Sequence, residues 1–260
     1  AKKLGVNKVY GMVHGIEGFL EDKLCDLDEY LSKAEDVEML KRTPSAFLGS
    51  CRFKMPKIDG HEDVYEKVFE IMEKHDIECL FYCGGNDSMD TVKMLSDYAA
   101  AHNKPQRFMG VPKTIDNDLP VTDHCPGYGS AAKYIATSLK EIIRDNESFG
   151  AKKPTVCIVE IMGRNAGWLT AAAALAKGDD CSGADAIYLP ETTFVVDVFM
   201  AKVKKLGATK SSVVIAVSEG VHIADGRYVC ELANENVAVD AFGHKQMSGT
   251  AAYLAQLVAA

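Results

Sequence analysis

Short apolar runs alternate with longer amphipathic stretches along nearly all of this chain, and that order limits its fold more than any other feature. Strands are expected at 8–13, 79–83, 107–111, 155–161, 184–189 and 213–218, and helices at 62–75, 89–101, 129–146, 166–177, 196–206 and 249–258. Within the first of these helices Val64, Val68, Phe69 and Met72 fall on one face, as packing against a sheet requires. Regular β-then-α alternation predicts an α/β protein with parallel sheets wound by helices and joined by short connections. Strands this apolar are expected to be buried on both faces.

The chain has 260 residues, enough for one large domain or two modest ones. No repeat or low-complexity linker separates them, so a boundary is expected at a crossover near 123–128, where Pro126-Gly127 interrupts two periodic segments. The net charge of −8 argues against a nucleic-acid partner, which needs a basic face. No apolar run approaches the roughly 18 residues that span a bilayer, so no membrane partner is expected. The eight cysteines are scattered singly with no C-x-x-C pair, which fits reduced core thiols and a cytoplasmic protein. The histidines at 14, 61, 75, 102, 124 and 222 have no metal-ligand spacing.

Ligands of open α/β sheets bind beyond the carboxyl ends of the strands, so the residues after each expected strand are the place to look for chemistry. Gly84-Gly85-Asn86-Asp87-Ser88 follows the strand at 79–83 and precedes a helix. Glycines let backbone N–H groups approach an anion, and a helix N-terminus favours negative charge there. A plain turn with Ser88 as the helix cap explains the same residues. Asn86 and Asp87 add oxygen ligands suited to Mg²⁺. After 107–111 comes Pro112-Lys113-Thr114-Ile115-Asp116-Asn117-Asp118, with two carboxylates at i and i+2. One carboxylate can take the proton of an attacking hydroxyl while a second serves a metal that spreads transition-state charge. From the spacing alone, an Asx-turn network with Asp116 and Asn117 capping backbone amides is the somewhat better account. Met162-Gly163-Arg164 and Glu219-Gly220 end two further strands, and Arg52 follows a Gly-containing loop whose guanidinium suits phosphate. Arg164 and His244 each lie beside a glycine, and Glu219 can accept hydrogen bonds from sugar hydroxyls or cap a helix.

FLGSCRF, GGNDSMDT, PKTIDND, VEIMGRNAGW, the strand ending in Ser218-Glu219, and GHKQMSG occur in this order, and together they resemble the 6-phosphofructokinases over nearly the whole chain. The resemblance implies two doubly wound (Rossmann-like) parallel-sheet domains with the active site in the cleft between them. On this reading residues 1–127 form the phosphoryl-donor domain, 128–247 the sugar-phosphate domain, and 248–260 the start of a crossover helix back toward the first. Asp116 is then the base acting on the 1-hydroxyl of fructose 6-phosphate, with Asp118 and Thr114 assisting beside it. Gly85, Asp87, Ser88, Arg52 and Lys113 would hold the donor, and Asn86 stands where many members carry a Mg²⁺-binding Asp. Thr114, Asp116, Met162, Gly163, Arg164, Glu219 and His244 would contact the sugar phosphate. The implied protein is a cytoplasmic homo-oligomer, a dimer or tetramer.

ATP-dependent members usually have glycine at the positions of Asp87 and Lys113, so the chain looks most like the pyrophosphate-dependent branch. Asp87 would repel the α-phosphate of a nucleotide, and Lys113 would stabilise a compact pyrophosphate and its phosphate leaving group. The implied reaction converts pyrophosphate and fructose 6-phosphate into phosphate and fructose 1,6-bisphosphate, in both directions. The alternatives are an ATP-dependent member or a non-catalytic regulatory subunit of the same fold. Relative to the family pattern the first strand and its G-G-x-x-P-G-x-N turn are missing, as is the later sugar-phosphate segment, so a fragment of a longer polypeptide is expected. Met247 replaces a common Arg, with Lys245 as its substitute.

Overall fold

The computed structural model describes residues 2–149, 153–232 and 249–260. The chain divides into two compact units, Ala1–Pro112 and Lys113–Ala260. The division falls at the end of a strand, ahead of the expected crossover at 123–128. Asn117 fastens the intervening turn to Cys125, and that turn leads directly into the first helix of the second unit.

The first unit contains β1 (Tyr10–Met12), α1 (Gly15–Leu20), β2 (Leu24–Asp26), α2 (Leu27–Tyr30), α3 (Ala34–Arg42), α4 (Glu62–Lys74), β3 (Cys79–Gly84), α5 (Asn86–Ala101) and β4 (Arg107–Pro112). β3 and β4 pair in parallel, from Cys79 opposite Arg107 to Gly84 opposite Pro112, with α5 as the crossover. β1 and β2 instead form a small antiparallel ribbon, which the expectation of parallel pairing did not include. One core holds this unit: Ile16 and Phe19 of α1, Val68, Phe69 and Met72 of α4, and Leu95 and Tyr98 of α5 close over Leu80 and Tyr82. Burying each of these side chains is worth about 1.5–3 kcal/mol. Because α4 and α5 pack on the same side, the other side of β3 stays open, with Cys79, Phe81 and Cys83 exposed. The expected burial on both faces does not hold for this strand.

It does hold for β7 of the second unit, while β5 and β6 are only partly buried; this unit contains α6 (Tyr128–Ser148), β5 (Thr155–Ile161), α7 (Trp168–Ala171), β6 (Ala186–Tyr188), α8 (Val196–Gly207), β7 (Ser212–Ser218) and α9 (Thr250–Ala259). β7 lies between β5 and β6, parallel to both. Its alternate residues serve two cores, as the two-residue period of a strand requires. Val213, Ile215 and Val217 meet Phe199 and Val203 of α8 and Leu254 of α9. Val214 and Ala216 meet Leu139 and Ile143 of α6 together with Leu169 and Ala173. Helices therefore cover both faces, which is the doubly wound arrangement.

The helix expected at 166–177 is a single α-turn, α7, followed by a 3₁₀ stretch at Ala172–Ala176. α9 packs on β5 and β7, so in this structure it belongs to the second unit. All eight cysteines are free thiols. No helix among the described residues is long and apolar enough to cross a membrane.

Candidate active site

The chain enters the second unit at Lys113, and its next five residues divide their work unequally. Asn117 has a left-handed backbone, φ 60°, and is buried. Its side-chain oxygen accepts the N–H of Cys125 at 2.8 Å, and its amide nitrogen donates to the carbonyl of Asp123 at 3.3 Å. The turn-capping role is thus filled by Asn117. Asp116 sends its backbone N–H to the Thr114 hydroxyl at 3.1 Å, while its carboxylate Oδ1 is buried and has no hydrogen-bond partner. Leaving such an acceptor unmade costs about 1–3 kcal/mol. Burial pushes the Asp116 pKa up and the neighbouring Asp118 pushes it further, against the pull of Lys113 and Arg164. The raised pKa and the unpartnered Oδ1 belong to the same half-buried carboxylate. Lys113 and Asp118 are exposed beside it.

Two parallel strand ends of the second unit carry the other candidate residues. Ile161, the last residue of β5, pairs with Ser218, the last of β7. The Glu219 N–H extends the ladder to the Ile161 carbonyl at 2.9 Å. Its side chain turns back, so that Oε1 accepts the N–H of Gly163 at 3.3 Å. Gly163 has φ 143°, and a Cβ there would lie 2.6 Å from the Ala166 carbonyl oxygen, so glycine is required. Burial raises the pKa of Glu219; the Gly163 N–H opposes the shift, Asp116 and Glu160 add to it, and Arg164 draws it down. Asp116, Glu219 and Arg164 therefore act on one another electrostatically, two half-buried carboxylates with one guanidinium. Met162 is exposed at the start of the same turn. Behind it, Glu160 accepts the N–H groups of Gly249 and Ala251 at 3.2 and 2.8 Å, anchoring the start of α9. The Thr250 hydroxyl donates to the Glu219 carbonyl at 3.3 Å.

In the first unit, β3 runs through Gly84 into Gly85, which is the N-cap of α5. Asn86, Asp87 and Ser88 form the first turn of that helix, whereas the sequence places them in a loop ahead of residue 89. Ser88 is consequently not the cap. Its hydroxyl lies back over Gly84, where a Cβ would come within 2.0 Å of it. The first-turn N–H groups of a helix have no intrahelical acceptor, and they supply an anion site with the dipole behind them. Arg52 is exposed in the coil after Gly49. That loop is held by His14, whose N–H donates to the Leu48 carbonyl at 2.7 Å and whose ring leaves no space for a Cβ on Gly49. Asn86 is exposed at the helix start. No cluster of three or more His, Cys, Asp or Glu side chains suited to a metal occurs among the described residues.

The structure therefore gathers Lys113, Thr114, Asp116, Asp118, Gly163, Arg164 and Glu219 in the second unit, with Met162 at the edge. It places Gly85, Asn86, Asp87 and Ser88 on one helix start of the first unit, which also carries Arg52. His244, with Lys245 and Met247, lies outside the described residues. In the sequence Ser218 stands out only as the end of a strand ahead of Glu219 and has no role of its own, although a hydroxyl ending the apolar run from 213 to 217 was a usable signal. A cavity of about 620 Å³ along α6 is lined by Lys133, Lys140 and Arg144 among others, and by none of the candidate site residues. Lys140 and Arg144 are both committed there to Asp180.

The family model described as phosphofructokinase matches residues 1–260. The chain is 41% identical over 251 residues to a pyrophosphate–fructose 6-phosphate 1-phosphotransferase of Xanthomonas campestris, covering 96% of this chain and 59% of that protein. It is 42% identical over 253 residues to the enzyme of the same name from Rhodospirillum rubrum, covering 97% and 60%. The crystal structure of a pyrophosphate-dependent phosphofructokinase from Nitrosospira multiformis matches with a TM-score of 0.79 at 34% identity, covering 99% of this chain and 58% of that one. The chain thus spans about three fifths of the length of the curated relatives it matches.

Proposed function

The chain belongs to the phosphofructokinase family, and from that membership and its two strand-end sites we propose that it carries the core of a pyrophosphate-dependent phosphofructokinase. The reaction moves a phosphoryl group from pyrophosphate to the 1-hydroxyl of fructose 6-phosphate, giving fructose 1,6-bisphosphate and phosphate, and it runs in both directions. The observation that carries this reading is the buried, unpartnered Oδ1 of Asp116. It accepts the proton of the sugar 1-hydroxyl as that oxygen attacks phosphorus, and its raised pKa improves it as a proton acceptor.

Gly163, Arg164 and Glu219 hold the sugar phosphate, with Met162 at the edge and His244 as a further contact. Glu219 has Oε1 committed to Gly163, leaving Oε2 for a sugar hydroxyl. Thr114 and Asp118 flank the base, and Lys113 offsets charge on the departing phosphate. The second unit is then the acceptor side. The first unit serves the donor, through the first-turn N–H groups after Gly85, the Ser88 hydroxyl and Arg52. Asp87 sits in that same first turn, where its carboxylate repels the α-phosphate of a nucleotide.

The exposed side-chain oxygen of Asn86 would ligate Mg²⁺ beside substrate phosphates and water, without the charge that the usual carboxylate ligand brings. When bound, the ion supplies charge neutralisation on the phosphoryl oxygens. Eight free thiols fit a reducing, cytoplasmic compartment. The homo-oligomer rests on the family resemblance.

A coupled assay of the full-length protein with fructose 6-phosphate, supplied separately with pyrophosphate and with ATP, tests the reading. Turnover with pyrophosphate is expected; turnover with ATP alone would reject the donor assignment.

A further inference from the structure

We propose that Ser218 is a positioning residue for the sugar-phosphate half-site, the side chain that fixes the 162–164 turn against the end of β7. The inference rests on the phosphofructokinase reading above. Ser218 ends a strand whose residues from 213 to 217 are buried hydrophobics, and it is itself fully buried. A hydroxyl in such a place is unfavourable unless it is bonded. Ser218 Oγ donates to the carbonyl of Gly163 and accepts the N–H of Gly220 at 3.3 Å. One hydroxyl thereby links the turns that follow two adjacent strands.

Gly163 is consequently held at both ends of its peptide environment. Its N–H is on the Glu219 carboxylate and its carbonyl is on Ser218. Gly220 closes the same knot, since a Cβ there would lie 1.9 Å from the carbonyl oxygen of Arg164. The rotamer of Glu219 and the backbone of Arg164 thus depend on where Gly163 sits, and Ser218 sets that position without reaching the ligand. Removing its hydroxyl deprives a buried carbonyl and a buried N–H of the partner they have here. The turn then relaxes, and Glu219 loses the N–H that orients it. None of the proposed donor residues, Gly85, Ser88 and Arg52 of the first unit or Lys113 of the second, takes part in these bonds, so pyrophosphate binding is spared.

Isothermal titration of the full-length protein with fructose 6-phosphate and, separately, with pyrophosphate tests the proposal on wild type, Ser218→Ala and Ser218→Thr. Loss of one shared hydroxyl should weaken fructose 6-phosphate binding about tenfold or more. Pyrophosphate binding should stay at the wild-type value, and Ser218→Thr should recover most of the loss. If Ser218→Ala does not fold, Ser218→Cys, which keeps the shape but hardly donates, carries the same comparison. Unchanged sugar-phosphate binding in the variant would overturn the proposal, and so would equal weakening of both ligands. A wild type that binds no fructose 6-phosphate would overturn the functional reading as well; normal wild-type binding with an unaffected variant would overturn only the role of Ser218.

Discussion

Replacing Asp116 by Asn keeps the shape of the side chain and removes its basicity, and two opposite effects are expected. The first is on rate. A positioned general base contributes about 10²–10⁴-fold, or roughly 3–5.5 kcal/mol of barrier, and kcat should fall by that factor. The second is on stability. In the wild type one carboxylate oxygen is buried without a partner, a defect worth about 1–3 kcal/mol. The amide still leaves part of its bonding unmet, so the variant should recover about 1 kcal/mol. For a domain of this size that corresponds to a rise of about 2–4 °C in Tm.

The pH dependence fixes the sign. Burial and Asp118 hold the folded pKa of Asp116 above its unfolded value, which is about 3.9. Below the unfolded value the group is protonated in both states and contributes nothing. As pH rises through the unfolded and then the folded pKa, ionisation becomes an increasing burden on the folded state. The Asn variant should therefore melt above wild type at pH 7 and lose that advantage near pH 3. Paired melting curves and steady-state rates on the full-length protein measure both effects. A variant within tenfold of wild-type kcat would refute the base assignment. A Tm several degrees lower would refute the claim that the buried, unpartnered carboxylate oxygen burdens the folded state.

Three further substitutions probe the surroundings. Gly220→Ala forces a methyl to 1.9 Å from the Arg164 carbonyl oxygen; overpacking of this kind costs about 1–3 kcal/mol or more, and thermal melting should show a loss of that size. Glu160→Ala removes the acceptor of two N–H groups at the start of α9 and should cost about 1–3 kcal/mol, read as a lower urea midpoint with an unchanged slope. Asp87→Gly removes a carboxylate from the first turn of α5 and should raise activity with ATP relative to pyrophosphate; no gain with ATP would refute the exclusion argument.

The core strands were legible because their apolar runs leave few other options: β5 coincides with its expected span, and β3, β4 and β7 differ from theirs by a residue. β2 was not legible, since Leu24–Asp26 is three residues with no alternation to read. The start of α5 was placed late because Asn86, Asp87 and Ser88 are weak helix formers whose place in the first turn depends on Gly85 as the cap. The open face of β3 follows from α4 and α5 choosing the same side, and nothing local in the sequence states that choice.

The spacing of Asp116 and Asn117 offered capping and catalysis as competing explanations. The turn is capped by the Asn117 side chain, from a left-handed backbone, while Oδ1 of Asp116 is buried without a hydrogen-bond partner. Ser218 stayed hidden because its role depends on two strand ends becoming neighbours.

The most direct test of the central claim runs the reaction backwards. Full-length protein incubated with fructose 1,6-bisphosphate, phosphate and Mg²⁺, and followed by ³¹P NMR, should generate pyrophosphate and fructose 6-phosphate, and Asp116→Asn should suppress both. No pyrophosphate from a protein that turns over fructose 6-phosphate with ATP would contradict the account.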